Sequence, residues 1–553
     1  MNAPTDTGWV DRLREHARRR PAAPAVTYAD TAARGEMPVY TDITFAELDD
    51  WSDALAQRFT EGGIGAGTRT VVLVNPGPEL YAVLFGLFKA GAVPVVIDPG
   101  MGLRPMLRCL AAVDAQAFIG IPQAHAVRVL FRRAFRGVEA RVTVGRRWFW
   151  GGRTLAQLGR TPAGPVRRAA ASDADVTAMI AFTTGSTGPA KAVELTHGNL
   201  AAMLERTQAL TGVTDEETAL VTLPMFGVLY LLLGTRIVLP PLIPSRVGAT
   251  DPEHVVDAVN RFGVHTLFAS PAVLAPLLAH SRDRRTVLPT VRAVFSGGAP
   301  VPDAVVTGLR EILPATAEVH AGYGATEVIP MSSIESRELA DGLGDLARAG
   351  AGTCIGRPDA GVEVRIVAVA DDPIRRWDQA REPSDGVGEI VVAGPNVSPR
   401  YHWPAAANLV GKIADGERVW HRTGDVGRID DQGRIWFCGR KSQRVQTGDV
   451  TLHPVQVEQI FNAVDGVGRT ALVGVGARPA QRPVLCVELL PGAEPAVVVD
   501  ALRSHGARFP LTSPIDTFLV HPGFPVDIRH NAKIGREKLA DWAGKRLRKE
   551  RRR

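Results

Sequence analysis

The chain has 553 residues, 45% of them hydrophobic, which is long and apolar enough for two or more packed domains and excludes a disordered or low-complexity protein. Its 64 Lys and Arg against 58 Asp and Glu leave a formal charge of +6, concentrated in residues 128–153 and in the tail 545–553. Cys109, Cys354, Cys438 and Cys486 lie far apart without C-x-x-C spacing, which argues against a disulfide framework or a zinc site and reads as reduced core thiols.

The first residues, Met1-Asn2-Ala3-Pro4-Thr5-Asp6, have no basic start followed by an apolar stretch, so no secretory signal is expected and the cytoplasm is the default location. From residue 44 to 99 helical patterning (45–59 and 80–90) alternates with β-rich runs at 70–74 and 93–97, the order of a doubly wound α/β core. The same pattern recurs at 255–268 and 290–295, carrying the α/β region past residue 300. The most apolar window, 225–244, has membrane-spanning length, but Arg236, Pro240, Pro241 and Pro244 would leave polar groups unpaired in lipid, so a buried acyl pocket or core segment is expected. Beyond Gly361 short runs at 362–367, 389–392 and 434–437, divided by turn residues, predict a β-rich subdomain. After about Lys441 helices and strands mix again, as in a small α+β domain.

Several loops carry chemistry. Phe182-Thr183-Thr184-Gly185-Ser186-Thr187-Gly188-Pro189-Ala190-Lys191 follows an apolar run and offers glycine-exposed N–H groups, hydroxyls and a lysine, a set suited to polyphosphate oxygens. An ordinary surface turn is the plain alternative. A Walker loop fails, because Ala190 and Ala192 stand where its second glycine and its magnesium-holding hydroxyl belong. Ser296-Gly297-Gly298-Ala299 and Gly322-Tyr323-Gly324-Ala325-Thr326-Glu327 supply a close-packing loop, an aromatic plane, a hydroxyl and a carboxylate, the groups that sandwich a purine, touch a phosphate and hold Mg²⁺. In His421-Arg422-Thr423-Gly424-Asp425 the aspartate is placed to accept ribose hydroxyls or to close a turn. Gly439-Arg440 marks the expected domain boundary, and Arg529-His530-Asn531-Ala532-Lys533-Ile534 is a polar loop with one lysine.

In order and spacing these motifs resemble the adenylate-forming superfamily of acyl-CoA synthetases, adenylation domains and luciferases, over nearly the whole chain. The resemblance implies a large N-terminal domain, 1–440, of doubly wound α/β subdomains plus a β-rich subdomain, and a small mobile α+β lid, 441–553, ending in the basic tail. It implies ATP and Mg²⁺ as cofactors. It puts Thr183, Thr184, Gly185, Ser186, Thr187, Gly188 and Lys191 over the β- and γ-phosphates, and Gly297, Gly298, Ala299, Tyr323 and Gly324 around adenine. Thr326 would contact the α-phosphate, Glu327 ligate Mg²⁺, Asp425 and Arg440 hold the ribose, and Lys533 bridge carboxylate and α-phosphate. The chemistry agrees with that assignment: an anionic carboxylate attacks an anionic phosphate, so alignment and charge stabilisation dominate the barrier.

Acyl-CoA synthetases usually read G-R-x-D-D-x-I-K-x-x-G at the hinge, where this chain has Gly439-Arg440-Lys441-Ser442-Gln443-Arg444-Val445-Gln446-Thr447-Gly448-Asp449. Both acidic positions and the last glycine are replaced, and Gly227 stands where many thioester-forming members carry histidine. The wording around Cys438–Val445, Phe524–Ile534 and Gly145-Arg146-Arg147-Trp148-Phe149-Trp150-Gly151-Gly152 is similar to one branch, the β-lactone synthetases of bacterial olefin biosynthesis. That branch implies a long-chain 2-alkyl-3-hydroxy acid whose own hydroxyl displaces AMP, and companion enzymes such as a β-lactone decarboxylase, thiolase or reductase. The alternative is a long-chain acyl-CoA synthetase or an acyl-AMP ligase serving a carrier protein. Phe226, Gly227, Leu229 and Leu232 are the candidate acyl wall, with a plain core role as the alternative. His320 is the nearest candidate base for the hydroxyl, against a structural role. The basic runs suit a membrane surface or a partner enzyme, and no nucleic-acid partner is expected.

Overall fold

Short β-branched runs alternating with apolar helices build two sheets whose central strands are all parallel, because each helix returns the chain to the same edge. In the computed structural model, which describes residues 8–29, 36–164, 173–183, 190–242, 244–299, 301–448, 450–525 and 534–550, the first sheet has eight strands. Their spatial order is Tyr401–Trp403, Ala192–Thr196, Thr177–Phe182, Val93–Val96, Arg69–Leu73, Ala117–Gly120, Ala140–Thr143 and Arg153–Thr154. The second has nine, in the order Arg357–Pro358, Val328–Glu335, Glu318–Ala325, Ala293–Ser296, Thr266–Phe268, Thr218–Val221, Arg236–Leu239, Pro24–Ala29 and Tyr40–Thr44. The expected doubly wound region is thus present, in two sheets.

Helix Phe45–Glu61 starts where Thr44 and Glu47 form a capping box, the Glu47 carboxylate accepting from the Thr44 N–H at 2.8 Å. It packs on helix Pro78–Lys89 at Gly86, where a Cβ would lie 2.9 Å from that of Leu55. The apolar window 225–244 resolves into helix Pro224–Leu232 and the buried strand Arg236–Leu239, with Arg236 paired to Asp42 at 3.0 Å. No helix among the described residues is long and apolar enough to cross a membrane. The strands Pro24–Ala29 and Tyr40–Thr44, which the sequence pattern does not announce, close the far edge of the second sheet.

The β-rich segment is a six-stranded sheet, in which Lys412–Asp415 and Ile435–Arg440 pair with successive parts of one edge of the long strand Arg418–Ile429 and Gly388–Ala393 with its other edge. Beyond it the hairpin of Val467–Val475 and Arg482–Leu489 is covered on one side by helices Pro454–Phe461 and Pro495–Gly506 and on the other by helix Arg536–Glu550. Lys441 joins this last part to the sheet through Glu389, at 3.1 Å, and Gln456 donates to the Gly350 carbonyl at 3.0 Å.

Candidate active site

A cavity of about 1110 Å³ lies over the carboxyl ends of the parallel strands, where an open α/β sheet places its ligands. Strands Ala293–Ser296 and Glu318–Ala325 run side by side with Ser296 opposite Ala321, so Gly297 and Gly298 emerge next to Tyr323 and all three line the cavity. A Cβ on Gly297 would sit 3.3 Å from the Gly322 carbonyl, and Gly298 has φ +82°, so a narrow slot beside the ring is kept open by glycine. Asp425 and Arg440 are cross-strand partners, with Arg440 Nε 2.8 Å from Asp425 Oδ1. The Tyr323 hydroxyl donates to Asp425 Oδ2. Burial and then the Asp425 charge push the Tyr323 phenol well above its ordinary range, and the same carboxylate raises Arg440. Asp425 is itself buried behind these two residues and does not line the cavity; an ionised carboxylate still has lone pairs for a ribose hydroxyl.

Thr326 and Glu327 follow on the turn after Tyr323 and line the same space. Glu327 is buried, with Oε1 accepting from the Tyr401 hydroxyl at 2.7 Å. Burial drives its pKa up, but neighbouring His421 and Lys412 and the Tyr401 hydrogen bond outweigh that, leaving it below the usual carboxylate range. Burial also lowers His421 to about 3, so at neutral pH the imidazole is uncharged and Lys412 with Tyr401 hold Glu327 ionised. Lys412 is lowered to about 7 by burial, opposed by Glu327 and reinforced by Lys191. Its ammonium donates to the Ser398 carbonyl at 2.5 Å and lies 5.3 Å from the Tyr401 ring centroid, with Lys191 Nζ 4.7 Å from that ring.

Thr183 and Lys191, the described ends of the glycine-rich loop, clasp each other: Thr183 N–H donates to the Lys191 carbonyl at 2.9 Å and Lys191 N–H to Thr183 Oγ1 at 3.1 Å. Both line the cavity. Thr184, Gly185, Ser186, Thr187, Gly188, Lys533 and Asp449 lie outside the described residues. Glu389 receives Arg422 at 2.5 Å and Lys441 at 3.1 Å, and this buried network floors the same cavity next to Ser442.

Away from these polar groups the wall is apolar and belongs to two hydrophobic clusters on opposite faces of the first sheet. Along Thr177–Phe182, Met179 and Ala181 pack into one and Ile180 and Phe182 into the other, as strand alternation requires. Phe226, Leu229 and Leu232, with Met203 and Leu200, line the cavity from the first cluster. Met106, Ala124 and Val127 line it from the second.

Three sequence expectations need correction. Gly227 turns away from the cavity onto Tyr81, whose hydroxyl a Cβ there would strike. His320 does not reach the cavity; it stacks on Phe295 at 4.9 Å and meets Glu318 at 2.9 Å, which removes it as a base for the substrate. Ala299 is likewise off the cavity wall. In turn, Tyr401, Lys412 and His421 were missed as partners of Glu327, since strand pairing rather than a contiguous motif assembles them: Tyr401–Trp403 adds to the edge of the first sheet, and Lys412 lies opposite His421.

Residues 13–402 match the AMP-binding enzyme family. The chain is 46% identical to an olefin β-lactone synthetase of Stenotrophomonas maltophilia, over 99% of this chain and 100% of the relative. The amide bond synthetase McbA of Marinactinospora thermotolerans superposes with a TM-score of 0.77 at 23% identity, over 97% of this chain and 99% of that one. The o-succinylbenzoate coenzyme A synthetase of Bacillus subtilis, solved in complex with ATP and magnesium ion, gives 0.73 at 21% identity over 96% and 99%.

Proposed function

The chain belongs to the AMP-binding enzyme family as an AMP-forming ligase, and from that premise we propose that it converts a long-chain 2-alkyl-3-hydroxy acid into a β-lactone. A carboxylate oxygen of the acid attacks the α-phosphorus of ATP and pyrophosphate leaves. The substrate's own hydroxyl oxygen then attacks the acyl carbon, the bond from that carbon to the phosphate-linked oxygen breaks, and AMP departs. The observation that carries this reading is the cavity itself, whose lining joins the polar groups around Tyr323 and Glu327 to apolar residues of two clusters, enough greasy wall for an acid with two alkyl arms. Each buried methylene adds about 0.8 kcal/mol to binding, so long arms are favoured until the apolar wall ends.

In this reading Tyr323, Gly297 and Gly298 hold the adenine, Asp425 and Arg440 the ribose, and Thr183, Thr326 and Lys191 the phosphates, while Lys533 spans carboxylate and α-phosphate. A buried carboxylate held below its usual pKa range suits Mg²⁺, which takes one or two protein carboxylates plus phosphate oxygens; Glu327 would hold it, and it would offset phosphate charge. An intramolecular nucleophile avoids the entropic cost of bringing in an acceptor, and the apolar walls keep water from the acyl-adenylate. Against a CoA acceptor stand Ser442, which lines the cavity in place of an acidic hinge residue, and Gly227, where Tyr81 leaves no room for histidine. Residues 441–553 then act as the lid that delivers Lys533, and companion enzymes consume the lactone.

The test is incubation of the enzyme with ATP, Mg²⁺ and the two-armed hydroxy acid without CoA, with products read by NMR in the cold. A four-membered lactone with one AMP per ring is expected. Free acid alone, or acyl-CoA once CoA is supplied, overturns the reading in favour of an acyl-CoA synthetase.

A further inference from the structure

One helix, Pro122–Leu130, belongs at once to the cavity and to an unusual surface. Ala124 and Val127 line the cavity, and Gln123, which also lines it, is solvent-exposed, so this helix spans from the cavity wall to the surface. On another side of the helix buried His125 stacks on Trp150 at 5.3 Å and 6°, and Trp148 and Phe149 pack against that indole at 5.3 and 5.6 Å. Trp148 is 56% exposed, Phe149 79% and Leu130 77%. Residues 128–153 hold eight arginines, of which Arg132, Arg133, Arg136, Arg146, Arg147 and Arg153 are exposed, against the single acid Glu139.

Exposed Trp, Phe and Leu ringed by cations of one sign match the two-part chemistry of an anionic bilayer: apolar side chains enter the acyl boundary while arginines meet phosphates. We propose that this face seats the enzyme on an anionic phospholipid surface, so that the acid passes from the bilayer into the cavity beside Gln123 and Ala124. The charge pattern favours lipid over a protein partner, since eight arginines stand against a single acid and the patch adjoins a helix that lines the apolar part of the cavity. The entry route rests on the long-chain substrate proposed above; the docking does not.

The experiment is co-sedimentation of the full chain with vesicles of phosphatidylcholine alone and with about 30% phosphatidylglycerol, at low and high salt. Binding to anionic vesicles is expected to exceed that to neutral ones by roughly tenfold or more and to weaken with salt. Trp148→Ser/Phe149→Ser and Arg132→Glu/Arg133→Glu should each reduce it by roughly tenfold, with melting temperature and turnover of detergent-dispersed acid unchanged. Turnover of acid supplied within anionic vesicles should fall in parallel. Wild-type protein that stays in the supernatant, pairs instead with a companion protein through these residues, or sediments equally with both vesicles overturns the proposal. So does loss of binding on neutralising Lys545, Arg546, Arg548 and Lys549 while both patch variants bind normally. Failure of the lactone reading would show separately, as wild-type product in detergent that is not a lactone.

Discussion

Tyr401 sits between two ammonium groups and gives its hydroxyl to Glu327, so one phenol orients the buried carboxylate that faces the phosphates. Removing that hydrogen bond in Tyr401→Phe deletes an interaction with a charged group worth about 1.5–3 kcal/mol, and kcat for pyrophosphate release is expected to fall by roughly tenfold or more. Unchanged kcat and unchanged Mg²⁺ dependence would remove Tyr401 from the site. Lys533→Ala should cost on the order of 10²-fold or more in adenylation with the fold intact, because it removes charge stabilisation specific to the transition state. A melting curve alongside the pyrophosphate-release assay separates that loss from unfolding. The residues legible in the sequence were those in contiguous motifs: Tyr323, Thr326 and Glu327 in one run and Asp425 in another, which meet through the Tyr323–Asp425 hydrogen bond between the nine-stranded and six-stranded sheets. Lys412 was not legible, because a lysine between Gly411 and Ile413 in a strand looks like any surface position until pairing buries it opposite His421.

Helix Pro224–Leu232 shows the same limit one level up. Its apolar pattern announces burial, but a helix that is apolar all round does not tell which side faces a ligand. Phe226, Leu229 and Leu232 took the cavity, whereas Gly227 took Tyr81, with room for nothing larger: a Cβ would lie 2.9 Å from Tyr81 Cζ and 3.0 Å from Ile237 Cδ1. Gly227→Ala should therefore destabilise the protein by about 1–3 kcal/mol through overpacking, read as a lower melting temperature. An unchanged melting temperature would mean that helix and sheet separate easily there. The strands Pro24–Ala29 and Tyr40–Thr44 escaped the sequence for a different reason, since the place of the first is set by pairing with Arg236–Leu239, some 200 residues away, and the second pairs only with the first. The strand–helix alternation from residue 44 onward was legible because both periods are local.

Among the described residues burial makes five buried histidines resist protonation: it lowers His125 and His453 to about 4, His421 to about 3, and His16 and His197 in the same direction. The unfolded chain binds those protons near pH 6.5 and the folded one does not, so stability falls as pH drops from 6.5 toward 4. Asp359, raised to about 6 by burial, and Asp303 and Glu458, raised by burial in the same direction, bind their protons in the folded state first and oppose this. The lowered histidines outnumber the raised acids, so the thermal midpoint should be lower at pH 5 than at pH 7. A midpoint that rises on acidification would show that the buried histidines are charged in the fold.

The central claim is that the carboxylate, not the hydroxyl, is activated by ATP and that the hydroxyl then closes the ring. A substrate labelled with ¹⁸O in its 3-hydroxyl tests this most directly, with the lactone and AMP analysed by mass. The account predicts that the label stays in the lactone ring and that AMP carries an unlabelled oxygen from the carboxylate. Label in AMP would mean that the hydroxyl is the group activated, and would contradict it.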